Sequence, residues 1–122
     1  MRALVIDDSR AVRMLLGKML QDLGFEVSEA GHGREALARL QEQGKMDLAV
    51  VDWNMPEMNG FDFVTEVRSK PEYDDLQLMM VTTETEMSQV IKAIEAGANE
   101  YVMKPFTKEI IAEKLQIVGL IS

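Results

Sequence analysis

The sequence predicts an α/β protein of the doubly wound (βα)₅ kind, a five-stranded parallel sheet with helices on both faces. Three observations lead there. Short, fully apolar runs (Ala3 to Ile6, Leu48 to Val51, Leu78 to Val81, Tyr101 to Met103) alternate with segments whose apolar residues recur at helical spacing. Strands apolar on both faces belong in a parallel sheet that helices cover on each side. Gly24, Gly44, Gly97 and Pro71 stand where those helical segments must stop,. Five strand–helix units in 122 residues leave about 24 residues each, room for short connections only,.

Each element has its own signal. After Asp8, residues Val12, Leu15, Leu16, Met19, Leu20 and Leu23 form one apolar stripe, predicted to be buried and ended by Gly24,. Phe25 to Glu29 alternates apolar and polar, as a half-exposed edge strand does,. Arg34 to Gln43 is a second helix with Ala36, Leu37 and Leu40 inward, stopped by Gly44. A third runs from Phe61 to Ser69 and ends before Pro71,. Met87, Val90, Ile91 and Ile94 stripe a fourth, with Thr85 as its N-cap and Gly97 as its stop,. The fifth runs from Thr107 to Val118.

The bulk properties limit what such a domain does. One domain spanning 1–122 is expected, since the length supports a single core and not two,. Thirteen basic against 21 acidic side chains give a net charge of −8, which repels nucleic acid phosphate and anionic lipid, so neither is an expected partner,. The absence of cysteine excludes disulfides and thiolate metal sites, and a single histidine, His32, excludes any site built on two imidazoles,. His32 itself reads as a solvated or helix-starting residue. The ten methionines read as packing, with Met55 and Met58 as possible exceptions beside Asp52,. No signal peptide pattern opens the chain, and no apolar run approaches the ~20 residues of a membrane helix, so a cytoplasmic location is expected,. The start at Met1 and the stop at Ser122, close to the outer elements, carry the expectation of a complete gene product.

In a doubly wound sheet, chemistry gathers beyond the carboxyl ends of the strands. Asp7 and Asp8 follow the first strand, Asp52 the third, Thr82 and Thr83 the fourth, and Lys104-Pro105 the fifth. Three carboxylates within about 5 Å repel by roughly 3 kcal/mol per pair at an effective dielectric of about 20. Such a cluster needs a cation, and oxygen-only ligands on a rigid edge suit Mg²⁺. Asp8 and Asp52 are the expected direct ligands with a backbone carbonyl from the following loop, and Asp7 acts through water. Asp52 is the expected nucleophile toward phosphorus, forming an acyl phosphate, with Lys104 neutralising phosphoryl charge. Thr82 is the expected hydroxyl donor to the phosphate, preferred over Thr83 because it directly follows the apolar run.

The segments VIDDS, VVDWNMPEMNG, MVTTE and YVMKPF, in this order, closely resemble the receiver domains of two-component response regulators, most of all the chemotaxis regulators. The resemblance covers essentially all 122 residues. It implies the flavodoxin-like fold with strand order 2-1-3-4-5 and a cis peptide between Lys104 and Pro105. It also implies phosphorylation on Asp52 by a histidine kinase, with Mg²⁺ held by Asp7, Asp8, Asp52 and the carbonyl of Asn54. Thr82 and Lys104 would contact the phosphate, and the rotamer of Tyr101 would follow Thr82. Asn54 and Glu84 would set how fast water removes the phosphoryl group, and this pair implies a phosphorylated lifetime of seconds to minutes. Partial activation is expected without a partner, because a 99:1 reversal requires about 5.5 kcal/mol of differential stabilisation.

The expected output partner is a flagellar motor switch protein, met on the face of the fourth helix, fifth strand and fifth helix by a monomeric regulator. Glu84-Thr85-Glu86-Met87 opens that face with acidic residues where the best-known enteric chemotaxis regulators carry lysines, which touches partner identity and not the switch. The alternatives are a phosphorelay shuttle or phosphate sink exchanging with a phosphotransfer protein, and the receiver of a larger DNA-binding regulator. Enzyme readings fit less well. A flavodoxin needs a Ser/Thr/Gly-rich loop where Asp7 and Asp8 stand, and a dehalogenase-type phosphatase needs an Asp where Ser9 stands. A regulatory protein that catalyses only its own phosphotransfer and dephosphorylation is expected. Trp53, beside Asp52, is expected to be partly exposed and to report metal binding by fluorescence.

Overall fold

The computed structural model describes residues 1–53, 55–83 and 87–122, with Met87 described in its backbone only. Ten principal elements alternate along the chain: β1 (Arg2–Ile6), α1 (Arg10–Asp22), β2 (Glu26–Ala30), α2 (Gly33–Gln43), β3 (Leu48–Asp52), α3 (Gly60–Arg68), β4 (Gln77–Thr82), α4 (Met87–Ala96), β5 (Glu100–Met103) and α5 (Lys108–Ile117). A short 3₁₀ turn, Pro71–Tyr73, joins α3 to β4. All strand pairs are parallel, in the order β2-β1-β3-β4-β5. The expected topology is met, with β2 at an edge.

The period of two in each strand divides the core. Leu4, Ile6, Ala49, Val51, Leu78 and Met80 face α2, α3 and α4, packing with Leu40, Phe63, Val64, Val67 and Ala93. Ala3, Val5, Leu48, Val50, Met79 and Val81 face α1 and α5, packing with Leu16, Leu20, Ile111 and Leu115. Both sets are needed because helices cover both faces, which is why β1, β3 and β4 read as unbroken apolar runs. The sheet extends one residue past two of those runs, so Asp52 closes β3 and Thr82 closes β4.

Side chains cap the helices. Ser9, Asn59 and Thr107 accept hydrogen bonds from the backbone N–H groups of Val12, Asp62 and Ile110. His32 does the same for α2 through Nδ1, while Glu35 reaches back to the N–H of Gly31, so the lone histidine starts a helix,. The expected cap Thr85 lies outside the described residues. Met55 and Met58 are not exceptions to the packing rule: Met55 is buried, and Met58 packs against the core and onto Gly33.

The α1 stripe faces the core through Val12, Leu16, Met19, Leu20 and Leu23, with one exception, and α4 departs further from its stripe. In α1, Leu15 is 49% exposed while Leu16 and Leu20 are buried. At 100° per residue, Leu15 lies about 120° round the helix from the midpoint of Leu16 and Leu20, on the flank of the stripe. In α4, Ile91 and Ile94 are 49% and 43% exposed, and among the described residues the buried one is Ala93. Ala93 joins the core on this side of the sheet, and the isoleucines turn outward. Among the described residues no helix is long and apolar enough to cross a membrane.

Candidate functional site

Doubly wound sheets bind ligands where the strand order reverses, between β1 and β3 in this topology,. Asp7 stands one residue beyond β1 and Asp52 ends β3, so both project at that crevice. Carboxylate oxygens of Asp7, Asp8 and Asp52 lie within 4.8 Å of one another, with Asp7 and Asp52 buried and Asp8 exposed. Lys104, just past β5, places Nζ 3.5 Å from Asp7 Oδ2 and 3.5 Å from Asp52 Oδ1. Its backbone N–H donates to the Thr82 carbonyl, and its peptide bond to Pro105 is cis, as the resemblance implies.

The residues on β1 and β3 are held from several sides. The Asp7 N–H donates to the Ala30 carbonyl at the end of β2, and its Oδ1 accepts from the N–H of Ser9 at 2.8 Å. Beyond Asp52 the chain turns tightly back: the Gly60 N–H donates to the Trp53 carbonyl at 2.9 Å. A Cβ on Gly60 would stand 2.9 Å from the Asp52 carbonyl oxygen and 3.0 Å from Trp53 Cα, so only glycine admits this return,.

The electrostatics are unbalanced. Among the described residues three carboxylates face one ammonium, leaving two formal negative charges in a mostly buried crevice. Burial raises the pKa of Asp52 from 3.8 to about 6, the charge of Asp7 adds to the shift, and Lys104 opposes it,. Clustered carboxylate oxygens with an unmet negative charge fit a hard divalent cation, and the donor set contains no sulfur or imidazole that would favour a softer one,.

Thr82 is buried at the end of β4, while Thr83 is exposed. Tyr101, half-buried on β5, and Thr82 line one small cavity together with Trp53, Met80, Gln89, Val90 and Ala93. Trp53 is partly exposed and meets Phe61 edge to face at 6.5 Å. Asn54 and Glu84, expected to bracket the pocket, lie outside the described residues.

Two arrangements escaped the sequence reading. Glu100 Oε1 accepts from the Tyr101 N–H at 3.0 Å and from Lys114 Nζ at 3.3 Å, and that Nζ sits 4.9 Å from the Tyr101 ring centroid. Arg13 on α1 donates to the Asp7 carbonyl at 2.6 Å and to Glu29 on β2 at 3.1 Å. Neither has a local signal, because a charged residue on an amphipathic helix reads as solvent-facing.

Comparison with known proteins agrees with this geometry. The profile of the response regulator receiver domain matches residues 3–116. Chemotaxis protein CheY1 of Helicobacter pylori is 44% identical over 119 residues, covering 97% of this chain and 96% of that protein. Chemotaxis protein CheY of Pseudomonas aeruginosa is 41% identical over 117 residues, covering 95% and 94%. The solved structure of chemotaxis response regulator CheY4 of Vibrio cholerae superposes with a TM-score of 0.89 at 39% identity, covering 96% of this chain and 97% of that one. With the profile running through the whole (βα)₅ unit and relatives aligned almost end to end on both sides, the chain belongs to the response regulator receiver domain family.

Proposed function

We propose that this protein is a cytoplasmic phospho-acceptor switch of chemotaxis, phosphorylated on Asp52 by a histidine kinase and read by a flagellar motor switch protein. The observation that carries this reading is the buried Asp52 carboxylate at the β3 end, flanked by Asp7, Asp8 and Lys104. The chemotaxis assignment rests on relatives that are named chemotaxis proteins and aligned over nearly the full chain.

An oxygen of Asp52 attacks phosphorus in line as the bond to the donor imidazole nitrogen breaks, which yields an acyl phosphate and leaves the electron pair on the imidazole. Lys104, already within 3.5 Å of Asp52, follows the charge onto the phosphoryl oxygens,. Asp7, Asp8 and Asp52, with the carbonyl of Asn54, would hold Mg²⁺, which when bound offsets the negative charge that phosphoryl transfer concentrates there. Thr82 donates its hydroxyl to the new phosphate, and Tyr101 turns toward the space that Thr82 vacates beside the apolar cavity. The roles of Asn54 and Glu84 in tuning hydrolysis are assigned from the family pattern alone. Apart from its own phosphotransfer and dephosphorylation the protein is regulatory and not an enzyme.

The output face carries Ile91, Ile94 and Ile110 exposed on α4 and α5, apolar surface suited to a protein partner,. The test is incorporation of label from acetyl phosphate with Mg²⁺, followed by capture of a motor switch protein. Asp52→Ala is expected to abolish labelling, and the labelled wild type is expected to bind the switch protein more tightly. Labelling that survives Asp52→Ala rejects the phospho-acceptor assignment; capture of a phosphotransfer protein without the switch protein rejects the motor output.

A further inference from the structure

The side chain of Asp8 has no hydrogen bond or ion pair among the described residues, yet it is one of three groups on which the acidic site depends. What the fold itself fixes of Asp8 is the backbone from which its side chain projects. The peptide that joins Asp7 to Asp8 is planar, so anchoring the Asp7 carbonyl oxygen fixes the plane from which Asp8 departs. That oxygen lies outside both β1 and α1 and accepts from Arg13 Nη1 at 2.6 Å. Arg13 is in turn tethered by Nε to Glu29 Oε1 at 3.1 Å, and its side chain is only 18% exposed. Every other polar handle of Asp7 is occupied as well, by Ala30, Ser9 and Lys104.

We propose that Arg13 is a positioning residue of the acidic site: through the Asp7 carbonyl it orients the Asp7–Asp8 turn for a divalent cation that it does not itself touch. The proposal rests on the reading of Asp7, Asp8 and Asp52 as a cation site, and it makes a prediction of unusual sign. Coulomb's law alone says that deleting a positive side chain near a cation site tightens cation binding. A positioning role says that the same deletion weakens it.

The experiment is titration of Mg²⁺ into the intact protein, read by the fluorescence of Trp53, the only tryptophan, and by calorimetry. Arg13→Met keeps the apolar stem and removes the donors. Its Mg²⁺ dissociation constant is expected to rise about tenfold, the range typical of residues that orient metal ligands. Arg13→Lys, which retains one donor, should recover part of the loss. Lys18→Met removes the same charge from an exposed position on the same helix and should leave affinity unweakened. Should Arg13→Met fail to fold, Glu29→Gln loosens the tether with Arg13 in place, and a smaller weakening is expected.

Unchanged or tighter binding by Arg13→Met, or by Glu29→Gln where it must stand in, overturns the proposal. Asp8→Asn separates this from failure of the underlying reading. If the wild type binds saturably and Asp8→Asn does not, the cation site stands and only the role of Arg13 is at stake. If the wild type shows no saturable binding, both fall together.

Discussion

Asp52 is the residue at which function costs stability. Below pH 3.8 its carboxyl is protonated in folded and unfolded chains alike and contributes nothing. As the pH rises past 3.8 the unfolded chain gives up its proton first, so the ion-free fold loses stability until the folded group ionises near pH 6,. Above that the loss is constant, on the order of 2–3 kcal/mol. Asp52→Asn removes it. In urea titrations without divalent cation, the variant is expected to be more stable than wild type by up to that amount at pH 8 and no more stable at pH 3.5. An equal difference at both pH values would mean that packing, and not charge, separates the two proteins. The residue was identifiable as a carboxylate at a strand end. Its burial, the largest cause of its raised pKa, was not, because the groups that cover it come from other segments.

The helices show where pattern and packing part. In α4, Ile91 and Ile94 point outward and Ala93 inward. Ile91→Lys and Ile94→Lys are therefore expected to change stability by less than about 0.5 kcal/mol. Ala93→Leu, which overfills the contact with the sheet, should cost about 1–3 kcal/mol. The opposite ranking in denaturant midpoints would restore the stripe read from sequence. At the sheet end away from the acidic site, Arg68 in the last turn of α3 donates to the carbonyls of Tyr73, Leu76 and Gly97 and to Asn99 Oδ1, at 2.7–2.9 Å. Asn99 Oδ1 also accepts from the Leu78 N–H, so one guanidinium joins α3, the entry to β4 and the turn between α4 and β5. Arg68→Met strands several partly buried acceptors and should cost roughly 2–4 kcal/mol, measured by urea unfolding. A loss under about 0.5 kcal/mol would show that solvent satisfies those acceptors equally well. Nothing local in the sequence marks Arg68 for this role, since Gly97 and Asn99 are 29 and 31 positions away.

At the scale of the molecule, the acidic crevice is a place where fold stability and ligand binding are linked. A cation bound by the folded state alone stabilises it in proportion to the logarithm of its concentration. Raising Mg²⁺ to about 100 times its dissociation constant should therefore add about 2.7 kcal/mol at pH 8. The gain should fall away as the pH drops below about 6, where Asp52 takes up its proton,. Thermal melts with and without Mg²⁺ at pH 8 and pH 4.5 measure this. An equal gain in Asp8→Asn would place the ion elsewhere on a chain that carries a net charge of −8.

What the sequence by itself determined is the architecture and the inventory of the site. Apolar runs on both faces of the strands, helical spacing between them and glycine stops are local signals, and each names the residues that must sit at a strand's carboxyl end. What only the tertiary structure decided is distance and direction. Lys104 and Asp7 are 97 positions apart, and Arg2, whose N–H meets Asp47, is 45 positions from its partner. The three carboxylates meet through the register of β1 and β3, while the outward turn of Leu15, Ile91 and Ile94 and the reach of Arg13 to the Asp7 carbonyl depend on how helices settle on the sheet. Periodicity says that a helix has an apolar side. Close packing against particular neighbours selects the part of that side that is buried.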